Sequence, residues 1–130
     1  MTRMIFDTSA NVSLLEEGKH VKLREGATIP LAEYEAGNAI WKKVANTRTL
    51  GTEEGLSLIS ALSRVLALMD KAEIGDASDV LNVALEENIT YYDASFLSAT
   101  MSSKAELVTE DEKLIAAAKG HVRTLKPGET

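Results

Sequence analysis

The apolar positions of this chain come in short bursts, each closed by an acid, a glycine or a hydroxyl residue. Met4, Ile5 and Phe6 make the first burst, and Asp7 closes it. A brief continuous apolar run with polar bounds predicts a buried strand. Val12, Leu14 and Leu15 follow at spacings that suggest a short helix. Residues 16–27, EEGKHVKLREGA, read as a polar connection rich in basic residues. Pro30 fits the first position of a helix, because the missing N–H there would have no helical partner anyway. That helix runs to about Asn46 and carries Leu31, Tyr34, Ile40, Trp41 and Val44. Thr52 is the expected N-cap of the next helix, with Glu53 and Glu54 in its first turn. Leu56, Ile59, Leu62, Leu66 and Met69 recur at three or four residues, the mark of an amphipathic helix.

Beyond Gly75, Asp76 is the expected cap of a helix carrying Val80, Leu81, Ala84 and Leu85. Residues 89–92 are β-prone and predict a strand, and ASFLSATMSSK is helical after Asp93. Residues 107–109 predict another short strand. Thr109 and Glu112 have capping-box spacing ahead of EKLIAAAK. Gly120 ends that helix, residues 121–124 suggest a last strand, and KPGET is a tail. Helix and strand alternate throughout this second half. The pattern predicts an α/β domain with a mainly parallel sheet.

In such a sheet the C-terminal strand ends line one edge, and ligands bind in the crevice outside it. Asp7, Asp93 and Asp111 each follow a predicted strand by no more than about two residues. A parallel sheet therefore brings the three together. Each is by default a helix N-cap, worth about 1 kcal/mol. Ser9 and Thr109 are available to cap the first and last of these helices, which leaves Asp7 and Asp111 surplus to capping. Surplus acids at one edge repel each other and raise a pKa, and a cation removes that cost. Glu35 is the fourth candidate. It shares a helix face with Leu31, Asn38 and Ala39, whereas Glu33 lies on another face.

Length changes the picture little, since 130 residues make one ordinary domain, here spanning residues 1–130. The absence of cysteine matters more, because it excludes disulfides and thiolate metal sites. His20 and His121 are the only histidines, so a metal must be held by oxygen. A net charge of −6 argues against binding nucleic acid by bulk charge. No 18-residue apolar run and no signal-peptide pattern is present, and the expected location is cytoplasmic, with no membrane partner.

Four segments together resemble the PIN-domain ribonucleases, and within them the VapC-type toxins of type II toxin–antitoxin pairs. They are MIFDTSANVSLL, IPLAEYEAGNAIWK, ALEENITYYDASFLSAT and ELVTEDEKLIAAAK, which stand in the family's order and roughly its spacing. The resemblance implies a three-layer α/β/α, PIN-like fold with a small, mainly parallel sheet flanked by helices. It places the family's acidic quartet on Asp7, Glu35, Asp93 and Asp111. Its supporting polar positions fall on Ser9, Asn38 and Thr109. Position 11 departs from the pattern, with Asn where a small apolar residue is more usual, and Asp111 is flanked by Glu110 and Glu112.

The implied activity is Mg²⁺- or Mn²⁺-dependent endoribonuclease cleavage of RNA phosphodiesters, with a cognate antitoxin as partner and a homodimer as assembly. Asp7 and Asp93 are the expected direct metal ligands, Asp111 and Glu35 binding directly or through water, with Glu35 also the expected general base. Lys19, His20, Lys22 and Arg24 form the densest basic cluster, and Lys42, Lys43 and Arg48 a second track for RNA. Tyr34 and Trp41 are suited to stacking on bases or, at helical spacing, to a core or dimer interface. The competing readings are a catalytically degenerate PIN-like module that binds RNA or protein, and a phospho-receiver domain. The receiver class requires paired acids after the first strand, and FDTSAN has one.

Overall fold

A computed structural model describes residues 3–130. At its centre is strand β1 (Met4–Phe6), with Ile5 and Phe6 fully buried. After it come α1 (Thr8–Glu16), α2 (His20–Leu23), β2 (Ala27–Thr28), α3 (Leu31–Ala45), α4 (Thr52–Leu68) and β3 (Asp70–Lys71). The chain continues through α5 (Ala77–Glu87), α6 (Tyr91–Ser103), β4 (Glu106–Val108), α7 (Glu112–Ala118) and β5 (Thr124–Leu125), and ends in a 3₁₀ turn at Pro127–Glu129. The sheet has five strands in the order β3-β2-β1-β4-β5, and every neighbouring pair is parallel. Phe6 pairs with Val108, so Asp7 and the loop carrying Asp111 leave the sheet side by side.

The strands are only two or three residues long, so helices supply most of the core. Helices α1, α3 and α4 pack together, and α5 packs with α6, which also lies against β1 and β4. Helix α6 is buried continuously from Ala94 to Thr100. Of its buried polar members, Ser98 Oγ accepts from the Gly75 N–H at 2.9 Å, and the other two are satisfied within the helix. Ser95 Oγ donates to the Tyr91 carbonyl and Thr100 Oγ1 to that of Phe96, each at 2.8 Å. Gly26 permits the close seating of β2. A Cβ there would stand 2.5 Å from the Phe6 ring and 2.6 Å from the Met4 carbonyl.

Several expectations are corrected. The strand predicted at 89–92 does not exist, because α6 begins at Tyr91 and Thr90 caps it by accepting from the Asp93 N–H at 3.0 Å. Ser9 caps nothing, since Asp7 itself is the N-cap of α1. The proposed Thr109–Glu112 box is also absent, because Asp111 caps α7. Pro30 sits one residue before α3 rather than on its first turn, and Gly51, not Thr52, is the N-cap of α4. The basic connection contains α2 and leads into β2, and β3 follows α4; none of these was predicted. The last strand lies at Thr124–Leu125, later than the predicted 121–124. Leu56, Leu81 and Leu85 face solvent despite their periodic positions.

Candidate active site

Asp7 emerges from the centre of the sheet, 5% exposed, and both of its carboxylate oxygens are engaged. Oδ1 accepts from the Ala10 N–H at 2.9 Å and from Ser9 Oγ at 2.7 Å. Oδ2 accepts from Thr109 Oγ1, which is itself fully buried. Burial pushes the Asp7 carboxyl up to about 6, the three donors pull against that rise, and the negative charge of Asp93 adds to it.

The two hydroxyls also tie the acidic loop to the sheet. The Asp111 N–H donates to Thr109 Oγ1, and the Glu110 N–H donates to Ser9 Oγ, each at 3.0 Å. Asp111 Oδ1 accepts from the N–H groups of Lys113 and Leu114 at 2.9 and 3.3 Å, an N-cap that fixes its orientation. Asp93 arrives from the first turn of α6. Its carboxyl is raised by partial burial first, then by the like charges of Asp111 and Glu35, against a lowering by Lys113. Glu35 Oε1 accepts from Thr8 Oγ1 at 2.7 Å.

Asp7, Thr8, Ser9, Glu35, Asn38, Asp93 and Asp111 line one cleft of about 550 Å³. The sequence-predicted acids therefore reach one place from four different elements. Thr109 is not in the wall and stands behind Asp7. Leu31, Glu35, Asn38 and Ala39 all line the cleft, which is the helix face the spacing anticipates, and Lys42 extends it by a turn. Glu33 lies outside and accepts from Ser63 Oγ at 3.0 Å. The acids beside Asp111 turn elsewhere. Glu112 binds Lys126 at 2.6 Å, and Glu110 lines a neighbouring pocket with Glu16 and Glu17.

Sequence reading missed Thr8. The available signal was a second hydroxyl beside the first acid, at the start of α1. The basic cluster of Lys19, His20, Lys22 and Arg24 does not reach the cleft, and Lys22 Nζ instead donates to the Thr130 carbonyl at 2.6 Å. Nor do Lys43, which pairs with Glu16 at 2.7 Å, and Arg48 line it. Tyr34 and Trp41 are exposed, so a core role for either is excluded.

Among the described residues, no three acidic or histidine side chains converge tightly enough to form a ready-made metal cage. The donor chemistry is nonetheless that of a hard cation, with four carboxylates, the Thr8 and Ser9 hydroxyls and an amide around one cavity and no sulfur or imidazole. Burial and then the like charges of Asp111 and Glu35 raise Asp93, and both are costs a divalent cation would relieve.

The architecture of this chain recurs among solved structures. The chain matches the crystal structure of PAE2754 from Pyrobaculum aerophilum with a TM-score of 0.80 and 32% identity, over 98% of this chain and 92% of that one. No family model matches the chain. It is 37% identical over 120 residues to exonuclease VapC9 of Pyrobaculum aerophilum, which covers 91% of this chain and 87% of that protein. The chain belongs to the VapC family of PIN-domain toxins.

Proposed function

We propose that this chain is the toxin of a toxin–antitoxin pair and acts as a metal-dependent ribonuclease that cuts RNA internally. The observation that carries this is the convergence of Asp7, Glu35, Asp93 and Asp111 on one cleft from four elements. Asp7, Asp93 and Asp111 would hold Mg²⁺ or Mn²⁺, with Glu35 binding directly or through water. Bound there, the cation supplies positive charge to the phosphate and to the water that attacks it.

The chain's own groups do the rest. Asp7 is immobilised by Ser9, Ala10 and Thr109, so it presents a fixed ligand without reorganisation. Glu35, steadied by Thr8, accepts the proton of the attacking water. Asn38, a turn further along α3, offers an amide to the phosphate oxygens. Lys42 is the one basic residue of the wall, which leaves no cluster of positive charge to seize a terminal phosphate and favours cleavage within the strand.

A circular RNA separates internal cleavage from end-on attack. The expected result is linearisation in Mg²⁺ or Mn²⁺ and none in EDTA. Intact circles beside degraded linear RNA would overturn the internal mode, and undiminished cleavage in EDTA the metal.

The antitoxin expected for this cleft carries an Arg or Lys that substitutes for the cation's charge. A complex with the inhibitor seated away from Asp7 and Asp93 contradicts that reading. Exposed Leu56, Leu68, Leu81 and Leu85 support association into a homodimer, which sedimentation would test; a monomer at micromolar concentration excludes it. Among the described residues no helix is long and apolar enough to cross a membrane. A cytoplasmic site of action follows from the proposed RNA substrate.

A further inference from the structure

Aromatic residues are scarce in this protein, and their placement is divided by type. Phe6 and Phe96, its only phenylalanines, are buried. Of its three tyrosines, Tyr34 and Tyr92 line the carboxylate cleft and Tyr91 lines the cavity next to it; they are 76%, 57% and 39% exposed. Beside the cleft opens a second cavity of about 430 Å³, lined by Ile74, Tyr91, Tyr92 and the turn before α3. Leu31 and Tyr92 belong to both walls, so the two cavities adjoin. One is walled by carboxylates. The other is walled by carbon, and the hydroxyl within it, Ser95 Oγ, is already committed to the Tyr91 carbonyl.

A nucleotide has the same division, with an anionic phosphodiester joined to a flat, uncharged, poorly hydrated base. We propose that the cavity lined by Ile74, Tyr91 and Tyr92 is a nucleobase subsite, seating the base next to the scissile phosphate of single-stranded RNA. The inference rests on the reading of the cleft as an RNA-cleaving site. Phosphate and base enter contiguous pockets of matching character, and Tyr92 stands at the step between them. Tyrosine suits the wall because its ring offers a face for stacking while its hydroxyl remains in water. No amide or charged side chain stands in the wall to read a base edge, so the subsite selects an unpaired base rather than a particular one. An outward-turned base requires single-stranded or looped RNA.

The experiment is an abasic scan. RNA oligomers that carry one base-less ribose, placed at each position in turn around the cleaved bond, are cut by the wild type, Tyr92→Ala and Tyr92→Phe. At one position flanking the cleaved bond, base removal should lower wild-type kcat/KM about ten- to a hundredfold, the range that stacking on an aromatic ring commands. Tyr92→Ala should lose a similar factor on intact RNA and nothing further on that abasic oligomer. Tyr92→Phe, which keeps the ring, should retain the wild type's loss on base removal at that position. The site is exposed, so folding of the variants is expected to survive and circular dichroism checks it.

A wild type indifferent to base removal, or losses that multiply independently, overturns the subsite while leaving the nuclease reading intact. A wild type that cuts no RNA at all removes the nuclease reading, and the subsite falls with it. If Tyr92→Ala alters only sedimentation or only the grip of a protein inhibitor, the face belongs to a second copy or to the inhibitor, and the subsite is overturned.

Discussion

At the scale of single residues, Asp7 carries two duties that the sequence presents as alternatives. It caps α1 through Ala10 and also points a carboxylate at the cleft. The premise that Ser9 and Thr109 release it from capping is wrong, yet the conclusion that acids gather here stands, because one oxygen can cap while the group as a whole remains an anion. The position of Asp7 after an apolar run was legible. Its clamp by two hydroxyls, one of them 102 residues away, was not, since nothing local announces so distant a partner. The burial has a consequence for pH. The folded carboxyl titrates at about 6 against 3.8 in an unfolded chain. The folded state therefore holds this proton more tightly, and the stability that comes with it is complete below about 3.8 and lost as pH rises through 6. A gap of about 2 pH units is worth about 3 kcal/mol. Asp7→Asn keeps the cap and does not titrate. In EDTA, urea midpoints should show the variant gaining on the wild type as pH rises from 4 to 7, while the contributions of acids distant from Asp7 cancel in the difference. A difference that stays flat with pH means that Asp7 is not desolvated as the structure has it.

Among the elements, legibility followed periodicity. Helix α3 was readable because Leu31, Glu35, Asn38 and Ala39 recur at helical spacing, and that face is the one that lines the cleft. Residues 89–92 misled for a physical reason. Ile, Thr and two Tyr favour strands, but Thr90 with Asp93 three residues on also forms a cap, and tertiary packing of α6, buried from Ala94 to Thr100, decided the matter. Continuous burial also erased the two-sided pattern that would have shown where α6 starts. Strands β2 and β3 have two residues each, too few for any alternation to register. The face of α3 supplies an internal control. Glu33 and Glu35 are two residues apart, so they look in different directions. Glu33→Gln should leave cleavage nearly intact, since its exposed contact is Ser63. Glu35→Gln should lower kcat by on the order of a hundredfold, as expected for loss of a general base. Equal losses in steady-state RNA cleavage would refute both the face and the role.

For the whole molecule, the parallel sheet sets the carboxylates against one another, and this joins stability to function. β1 and β4 run side by side, so their following residues Asp7 and Asp111 share an edge; α6 delivers Asp93 and α3 delivers Glu35 to the same place. Three of these connections span most of the chain, so the cleft exists only in the complete fold. In the metal-free protein the burial of Asp93, and then its repulsion by Asp111 and Glu35, is a cost of folding, visible in the raised Asp93 carboxyl. Asp93→Asn removes one charge and one expected ligand and leaves the Thr90 cap of α6 in place. Against that relief stands the loss of an acid from the first turn of a helix, about 0.3–1 kcal/mol. The variant should therefore melt in EDTA at the same temperature as the wild type or higher, and cleave no RNA. Added Mg²⁺ stabilises whatever it binds in the folded state and should raise the wild-type melting temperature more than the variant's. If Asp93 served only the helix, the variant would melt lower, keep near-normal activity and respond to Mg²⁺ like the wild type. Parallel thermal melts in EDTA and in Mg²⁺, with a cleavage assay on the same samples, separate the two. An active Asp93→Asn protein with an undiminished Mg²⁺ response would mean that these acids gather at one edge for the sake of the helices that begin there, and not for a cation.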